Sequence, residues 1–192
     1  MKHIQYDEFQ QSLQPLLAPA NINASSFLAT DYLNHYNEIV MLLEMVPDMP
    51  EMMDDVLDWA PKSYEQHFID SGFDARDLAV EAFQHAPDIL KTHFLSICAD
   101  LDQLLSGTLF GLQKVNVIER GFSDAARHLV IMRVKEAQEL LGRLNGIIHG
   151  TPDETLLRGG KITISETPEP QAEEQDEHED TQTQAEIDAL FD

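Results

Sequence analysis

The sequence predicts an all-α helical bundle followed by a disordered acidic C-terminal tail that ends in a short amphipathic helix. Apolar residues recur at helical spacing from Tyr6 to Ile148, while Pro and Gly residues interrupt the pattern between segments. Beyond residue 150 the composition changes to Glu, Gln, Thr, Asp and Pro, which offers little apolar surface to bury. We therefore divide the chain into a bundle domain (1–150), an acidic disordered linker (151–182) and a docking peptide (183–192).

Two helices are predicted at the start of the bundle. The first covers residues 6–17. The second begins at Ser25 or Ser26, which are good N-caps, and ends at Val46, before Pro47. The side chains expected to face the core from these helices are Phe9, Leu13, Leu16, Leu17, Ala29, Tyr32, Leu33, Tyr36, Ile39, Val40 and Leu43.

Shorter helices are predicted in the middle of the bundle. Asp48 and Glu51 form a capping-box pattern, so a helix is expected from there to about residue 59. Two further short helices are predicted over residues 63–70 and 74–85, where Gly72 and Pro87 mark their ends.

Two long helices are predicted to complete the bundle. One covers residues 88–105, where Gly107 and Gly111 could interrupt it. Residues 112–119 alternate in part, so they form either a strand or a continued helix. Ser123 is then the expected N-cap of a last long helix that ends near residue 148.

Charge and composition exclude several classes of function. The chain of 192 residues is 43% apolar and carries a formal charge of −23, from 35 acidic and 12 basic side chains. Such a charge repels phosphate backbones and anionic lipid surfaces, so we expect neither nucleic-acid nor membrane binding. The absence of a signal-peptide pattern and of an apolar span, with a single cysteine at Cys98, predicts a cytoplasmic protein in which Cys98 is a core thiol.

The last ten residues form an amphipathic unit. Thr183 and Glu186 make a capping box, and Ile187, Leu190 and Phe191 stand at i, i+3 and i+4 on one helical face. A helix this short is marginal in water and needs another surface to fold against. The pattern therefore predicts a docking peptide, although packing of this end on its own body, or no role, would also fit.

These residues resemble a known recognition peptide. Gln184 and the run 186–190 are similar to the peptide with which the flagellar motor switch protein binds the chemotaxis response regulator CheY, roughly Ser-Gln-Asp-Glu-Ile-Asp-Ala-Leu-Leu. In its placement after a linker, the segment also resembles the tail of the chemotaxis phosphatase CheZ. The resemblance covers about ten residues, departs at Thr183, Ala185 and Phe191, and implies nothing about the fold of the bundle.

The resemblance implies a partner and a set of contacts. The partner would be a CheY-like receiver domain, so the chain would be a regulator or adaptor in chemotaxis or flagellar signalling. Its apolar groove would receive Ile187, Leu190 and Phe191, while Glu186 and Asp188 would orient the peptide. We find no phosphatase motif in the bundle, so action on the partner's phosphorylation stays an alternative and the catalytic residues are unknown.

A second hypothesis is a metal-dependent helical-bundle enzyme. Asp31, His35 and Glu38 fall within about 60° of one another on a helical wheel, beside the apolar stripe. Carboxylates and imidazole on an inward face of a bundle can bind a divalent metal. Ligands from facing helices would also be needed, with His93, His128 and Asp100 as candidates, and a polar flank with one hydrogen-bonded histidine would fit the same pattern. Under the docking hypothesis no cofactor is expected.

Two other clusters have more than one interpretation. Basic residues concentrate between positions 114 and 143, where they could receive the acidic tail, meet an acidic partner or simply pair with neighbouring carboxylates. Methionines concentrate between positions 41 and 53, where they could fill the core from two sides or form a homodimer interface. The clustered residues are Lys114, Arg120, Arg127, Arg133, Lys135 and Arg143, and Met41, Met45, Met49, Met52 and Met53.

Overall fold

A computed structural model describes residues 4–151, and within that range the chain forms eight α-helices and no strand. The predicted all-α class is therefore confirmed. Of the tail, only Thr151 lies within the described part, so the proposed linker and docking peptide lie outside it. The helices are α1 (Glu8–Leu17), α2 (Leu33–Met45), α3 (Met53–Asp58), α4 (Tyr64–Asp70), α5 (Arg76–Gln84), α6 (Asp88–Lys114), α7 (Val117–Arg120) and α8 (Asp124–Ile148).

The two long helices, α6 and α8, pack against each other and form the centre of the bundle. Leu101, Leu105 and Leu112 of α6 are fully buried, as are Ala137 and Leu144 of α8. Their spacing matches the 3.6-residue helical period, so burial of these stripes against one another gives the hydrophobic driving force for pairing.

Helix α2 packs along α8 in the opposite direction. The hydroxyl of Ser26, before α2, bonds the carbonyl of Ile148 at the end of α8. At the far end of α2, the Arg127 guanidinium lies 2.7 Å from the Asp48 carboxylate. These contacts place the N-terminal side of α2 beside the C-terminus of α8.

An aromatic cluster joins α4, α5 and α6 at one end of the bundle. The rings of Tyr64 and Phe83 stack with centroids 4.4 Å apart, and Phe68 lies 4.7 Å from Tyr64. Phe94 of α6 contacts the same tyrosine edge-on at 5.7 Å. Phe68 and Phe94 are fully buried, so this cluster holds the short helices α4 and α5 against the long helix α6.

The predicted start of the second helix at Ser25 or Ser26 is wrong, because residues 21–29 form a compact loop. The side-chain oxygen of Asn23 accepts hydrogen bonds from the backbone N–H groups of Ser25 and Ser26, at 2.9 and 3.0 Å. An Asn side chain that satisfies these donors competes with a helix start. Phe27 has φ 66°, and α2 begins only at Leu33, after a single 3-10 turn.

Helix α6 is longer than predicted, whereas α2 is shorter. It continues through Gly107 and Gly111 to Lys114, and neither a break nor a strand over 112–119 is formed. The buried face continues beyond Gly107 with Thr108, Leu109 and Leu112. Burial of this apolar face outweighs the roughly 1 kcal/mol helix propensity cost of each Gly.

Other local predictions have mixed outcomes. The N-cap at Ser123 is confirmed, since its hydroxyl accepts from the backbone N–H of Ala126, and Ser63 caps α4 in the same way. Asp48 is not a cap, because the helix that follows has no side-chain cap and Asp48 pairs with Arg127 instead. Two side chains of α1 expected in the core, Phe9 and Leu16, are 45% and 55% exposed.

The methionine cluster divides between the core and the surface. Met53 is 1% exposed, whereas Met41 is 52% and Met49 is 39% exposed. Core filling therefore accounts for part of the cluster, and the homodimer hypothesis stays a prediction. None of the helices within residues 4–151 has the length and apolar composition needed to cross a bilayer.

Candidate functional site

A pocket of about 810 Å³ lies between the end of α1, the segment before α2, and the loop that joins α4 to α5. Its wall is partly apolar, with Leu16, Pro19 and Phe73, and partly polar. The polar part of the wall includes Asn21, Asp31, His67 and Asp74. Concave sites of this size with a few convergent polar groups are typical of ligand-binding pockets.

Asp31 is held in the pocket wall by a hydrogen bond from Asn21. One of its carboxylate oxygens accepts a hydrogen bond from the Asn21 side-chain amide at 3.2 Å. Asn21 itself has a left-handed backbone (φ 60°) that closes the 3-10 turn Ala18–Ala20. Its local turn therefore places the amide beside a carboxylate ten residues further along the chain.

His67 of α4 forms the adjacent part of the wall. Its ring meets Tyr32 edge-on with centroids 5.5 Å apart. Burial lowers the pKa of His67 below its usual value, although the Asp31 carbonyl and carboxylate oppose this effect. His67 is therefore a neutral hydrogen-bonding group at neutral pH.

His35 is buried behind this wall and is occupied by structural contacts. Its Nε2 accepts a hydrogen bond from the backbone N–H of Lys62 at 3.1 Å, and its ring stacks on Trp59 at 5.1 Å. The Trp59 indole N–H in turn donates to the His35 carbonyl. Burial lowers the pKa of His35 to about 4, and positive charge on His67 and Lys62 acts in the same direction.

The structure places the three predicted metal ligands in different environments. Asp31 lines the pocket, His35 lies in the aromatic core, and Glu38 is exposed to solvent. Across residues 4–151, no group of three or more His, Cys, Asp or Glu side chains is arranged to hold a metal ion. The metal-enzyme hypothesis thus stays a prediction, and metal analysis of the purified protein is its test.

A second polar cluster is enclosed between α2 and α6. Tyr36 donates a hydrogen bond to the Asp102 carboxylate at 2.9 Å, and Tyr32 donates to the Lys62 carbonyl at 2.8 Å. Burial raises the pKa of both tyrosines, raises that of Cys98 to about 12 and raises that of Asp102. With its thiol protonated and buried, Cys98 is a core residue, as predicted.

Two arginines of the basic stretch, both on α8, form surface ion pairs. Arg127 pairs with Asp48 at 2.7 Å, and Arg133 pairs with Glu136 at 3.0 Å. The side chains of these pairs are between one third and more than four fifths exposed, so each pair contributes roughly 0–1 kcal/mol. The Arg133 pair agrees with the interpretation that these basic residues pair with neighbouring carboxylates, whereas Arg127 pairs with a carboxylate 79 residues away in the sequence.

Sequence reasoning named Asp31 but missed the pocket it lines. Asn21, His67 and Asp74 come from three segments, and no local spacing links them to Asp31. The tyrosines at positions 32 and 36 were recognised only as members of an apolar stripe. The predicted peptide contacts, Glu186, Ile187, Asp188, Leu190 and Phe191, lie outside the described residues.

No protein-family model matches this chain, and neither a curated protein nor a solved structure matches it.

Proposed function

We propose that the chain is a regulatory adaptor that docks a response-regulator receiver domain of the CheY type through residues 183–192. The observation that carries this proposal is the capping box at Thr183 and Glu186, followed by Ile187, Leu190 and Phe191 on one face. The resemblance of this segment to the CheY-binding peptide names the partner class. On this proposal the protein acts in the cytoplasm, where the single Cys98 stays reduced.

The arrangement of the chain supports a tethered-capture role. Helix α8 ends at Ile148, so residues 152–182 separate the body from the peptide. A flexible linker of about 30 residues has a typical end-to-end distance of about 30 Å. A partner held by the peptide would then remain near the body at high effective concentration. The linker therefore allows the bundle to contact or modulate the captured receiver.

The peptide contacts give the direct test. Full-length protein is titrated with a panel of purified receiver domains, phosphorylated and unphosphorylated, by isothermal titration calorimetry. Replacing Ile187 or Phe191 with Ala removes most of an anchor worth about 1.5–3 kcal/mol. We expect each variant to weaken binding by about 10-fold or more. Ile164→Ala is the matched control, because it removes the same kind of side chain from the linker, and its affinity should equal that of the parent.

The charged residues of the peptide, and the effect of docking on the phosphorylation of the receiver, are tested with the same purified proteins. Glu186→Gln and Asp188→Asn should each weaken binding by about 2–5-fold and reduce its dependence on salt, since rim charges act mainly on association. Dephosphorylation of the bound receiver, followed with and without the chain, shows whether docking modulates its phosphorylation. The proposal fails if no receiver binds below millimolar concentration, or if the Ile187 and Phe191 variants bind as tightly as the parent.

A further inference from the structure

The pocket beside Asp31 combines negative charge with an apolar wall. The carboxylates of Asp31 and Asp74 both line it, and its lining, as far as the structure describes it, includes no Lys or Arg. Burial lowers the pKa of His67, which works against a positive charge on its ring. The exposed side chain of Leu16 and the ring of Phe73 supply apolar surface in the same cavity.

We propose that this pocket binds an organic cation, an ammonium or guanidinium group carried on an apolar stem. Asp31 and Asp74 would pair with the charged group, while Phe73 and Leu16 would cover the stem. Asn21 fixes the position of the Asp31 carboxylate through the 3.2 Å amide bond. A carboxylate held in place in this way loses less rotational freedom on binding than a mobile surface Asp.

Two nearby carboxylates show why the pocket differs from ordinary acidic surface. Asp70 lies on the same helix as His67, but its carboxylate is already paired with Lys62 at 2.9 Å and with Gln66 at 2.6 Å. Asp48 is similarly paired with Arg127. In the described part of the chain, by contrast, Asp31 has an amide partner and Asp74 shares the cavity without a basic neighbour in its lining.

The cation could be a free small molecule or a side chain of this protein's own tail. Arg158 and Lys161 are the first basic residues after the body. Arg158 lies seven residues after Thr151, a length of chain that spans up to about 24 Å when extended.

A matched series of probes tests the proposal on the full-length protein. 4-Phenylbutylamine, 4-phenylbutanol and 4-phenylbutyrate share one apolar body and differ in charge, and binding is followed by chemical-shift changes at the His67 ring and the Phe73 amide. We expect the amine to bind at least 10-fold more tightly than the alcohol, and the carboxylate not to bind. Equal binding of the three probes, or no binding of the amine at 10 mM, overturns the proposal.

Single carboxylate substitutions locate the charge that matters. Asp31→Asn and Asp74→Asn should each weaken amine binding by about 3–10-fold, as expected for loss of one charge-assisted contact. Asp70→Asn changes the net charge equally but lies outside the pocket, so it should change the affinity less than 2-fold. Asp74 is exposed, so its variant tests the site even if the Asp31 variant unfolds. Equal effects of Asp70 and Asp74 substitutions would indicate only a general charge effect and would refute the site.

The tail variants distinguish the source of the cation. In the doubly substituted full-length protein, Arg158→Gln with Lys161→Gln, tighter binding of the amine than in the parent identifies the tail as the competing occupant. Unchanged binding identifies a free organic cation as the ligand. Both results keep the pocket as a cation site, and neither depends on receiver docking by residues 183–192, so failure of one proposal is measured separately from failure of the other.

Discussion

The backbone N–H of Lys62 donates a hydrogen bond to Nε2 of His35 across 3.1 Å, which requires that this buried nitrogen is unprotonated. His35 is 6% exposed and stacks on Trp59. Protonation of Nε2 would place two donors against each other and a charge in an apolar environment. The contact therefore links the stability of the bundle to pH.

Stability should fall as the pH drops from about 6.5 to about 4. The pKa of His35 is lowered to about 4 in the folded protein, against about 6.5 when unfolded, so the unfolded state binds the proton first. The His35 contribution is thus fully present above pH 6.5 and is lost progressively until pH 4. Between pH 7 and pH 5 the loss is about 2 kcal/mol in free energy of unfolding, measured by urea denaturation.

His35→Gln provides the control for this pH dependence. Glutamine can accept the Lys62 N–H but does not titrate, so the variant should lose about 2 kcal/mol less than the parent between pH 7 and pH 5. His67, whose pKa is also lowered, remains in both proteins and cancels in the comparison. Identical pH profiles for parent and variant would contradict the assignment.

Tyr36→Phe should destabilise the bundle. The substitution removes the 2.9 Å hydrogen bond to Asp102, whose pKa burial already raises, and leaves that carboxylate without the bond. We expect a loss of about 1–3 kcal/mol in urea denaturation at pH 7. Tyr6→Phe, which removes an exposed hydrogen bond to the Ser25 carbonyl, should cost less than half as much. Equal losses would show that the Asp102 hydrogen bond stabilises the bundle no more than the exposed Tyr6 hydrogen bond does.

Two glycine substitutions should have opposite signs. Gly150 has φ 70°, and an added Cβ would lie 3.3 Å from the Ser25 Cβ, so Gly150→Ala should destabilise the protein by about 1–2 kcal/mol. Gly107 lies within α6 and an added Cβ would meet nothing within 4 Å, so Gly107→Ala should stabilise by about 0.5–1 kcal/mol. Thermal unfolding of both variants measures this difference, and a shift of both in the same direction would contradict it.

Ser26→Ala should loosen the loop that precedes α2. The Ser26 hydroxyl is fully buried and bonds the Ile148 carbonyl, so its loss leaves a buried acceptor without this partner. We expect a cost of about 1–3 kcal/mol and faster hydrogen exchange at the end of α8. Ser25→Ala changes an exposed neighbour and should stay within about 0.5 kcal/mol of the parent. Matching effects at the two serines would refute the role of the Ile148 contact.

Local signals were sufficient where one pattern dominated. The N-cap at Ser123 and the extent of α8 follow directly from capping chemistry and helical periodicity. Local signals gave the wrong prediction where another interaction outweighed the intrinsic preference of a residue. Ser26 is a good N-cap by type, yet its hydroxyl bonds a carbonyl 122 residues away, and Gly107 is a weak helix former that α6 nevertheless includes.

The sequence by itself determined the helical class, most helix ends and the cap at Ser123, because these depend on interactions within about four residues of the chain. It also determined the amphipathic pattern at residues 183–192, on which the receiver-docking proposal rests. Only the tertiary structure decided that Asp31, His67, Asn21 and Asp74 share one pocket, and that His35 is enclosed by Trp59 and Lys62. Their convergence depends on how helices pack over long sequence separations, which local spacing does not encode.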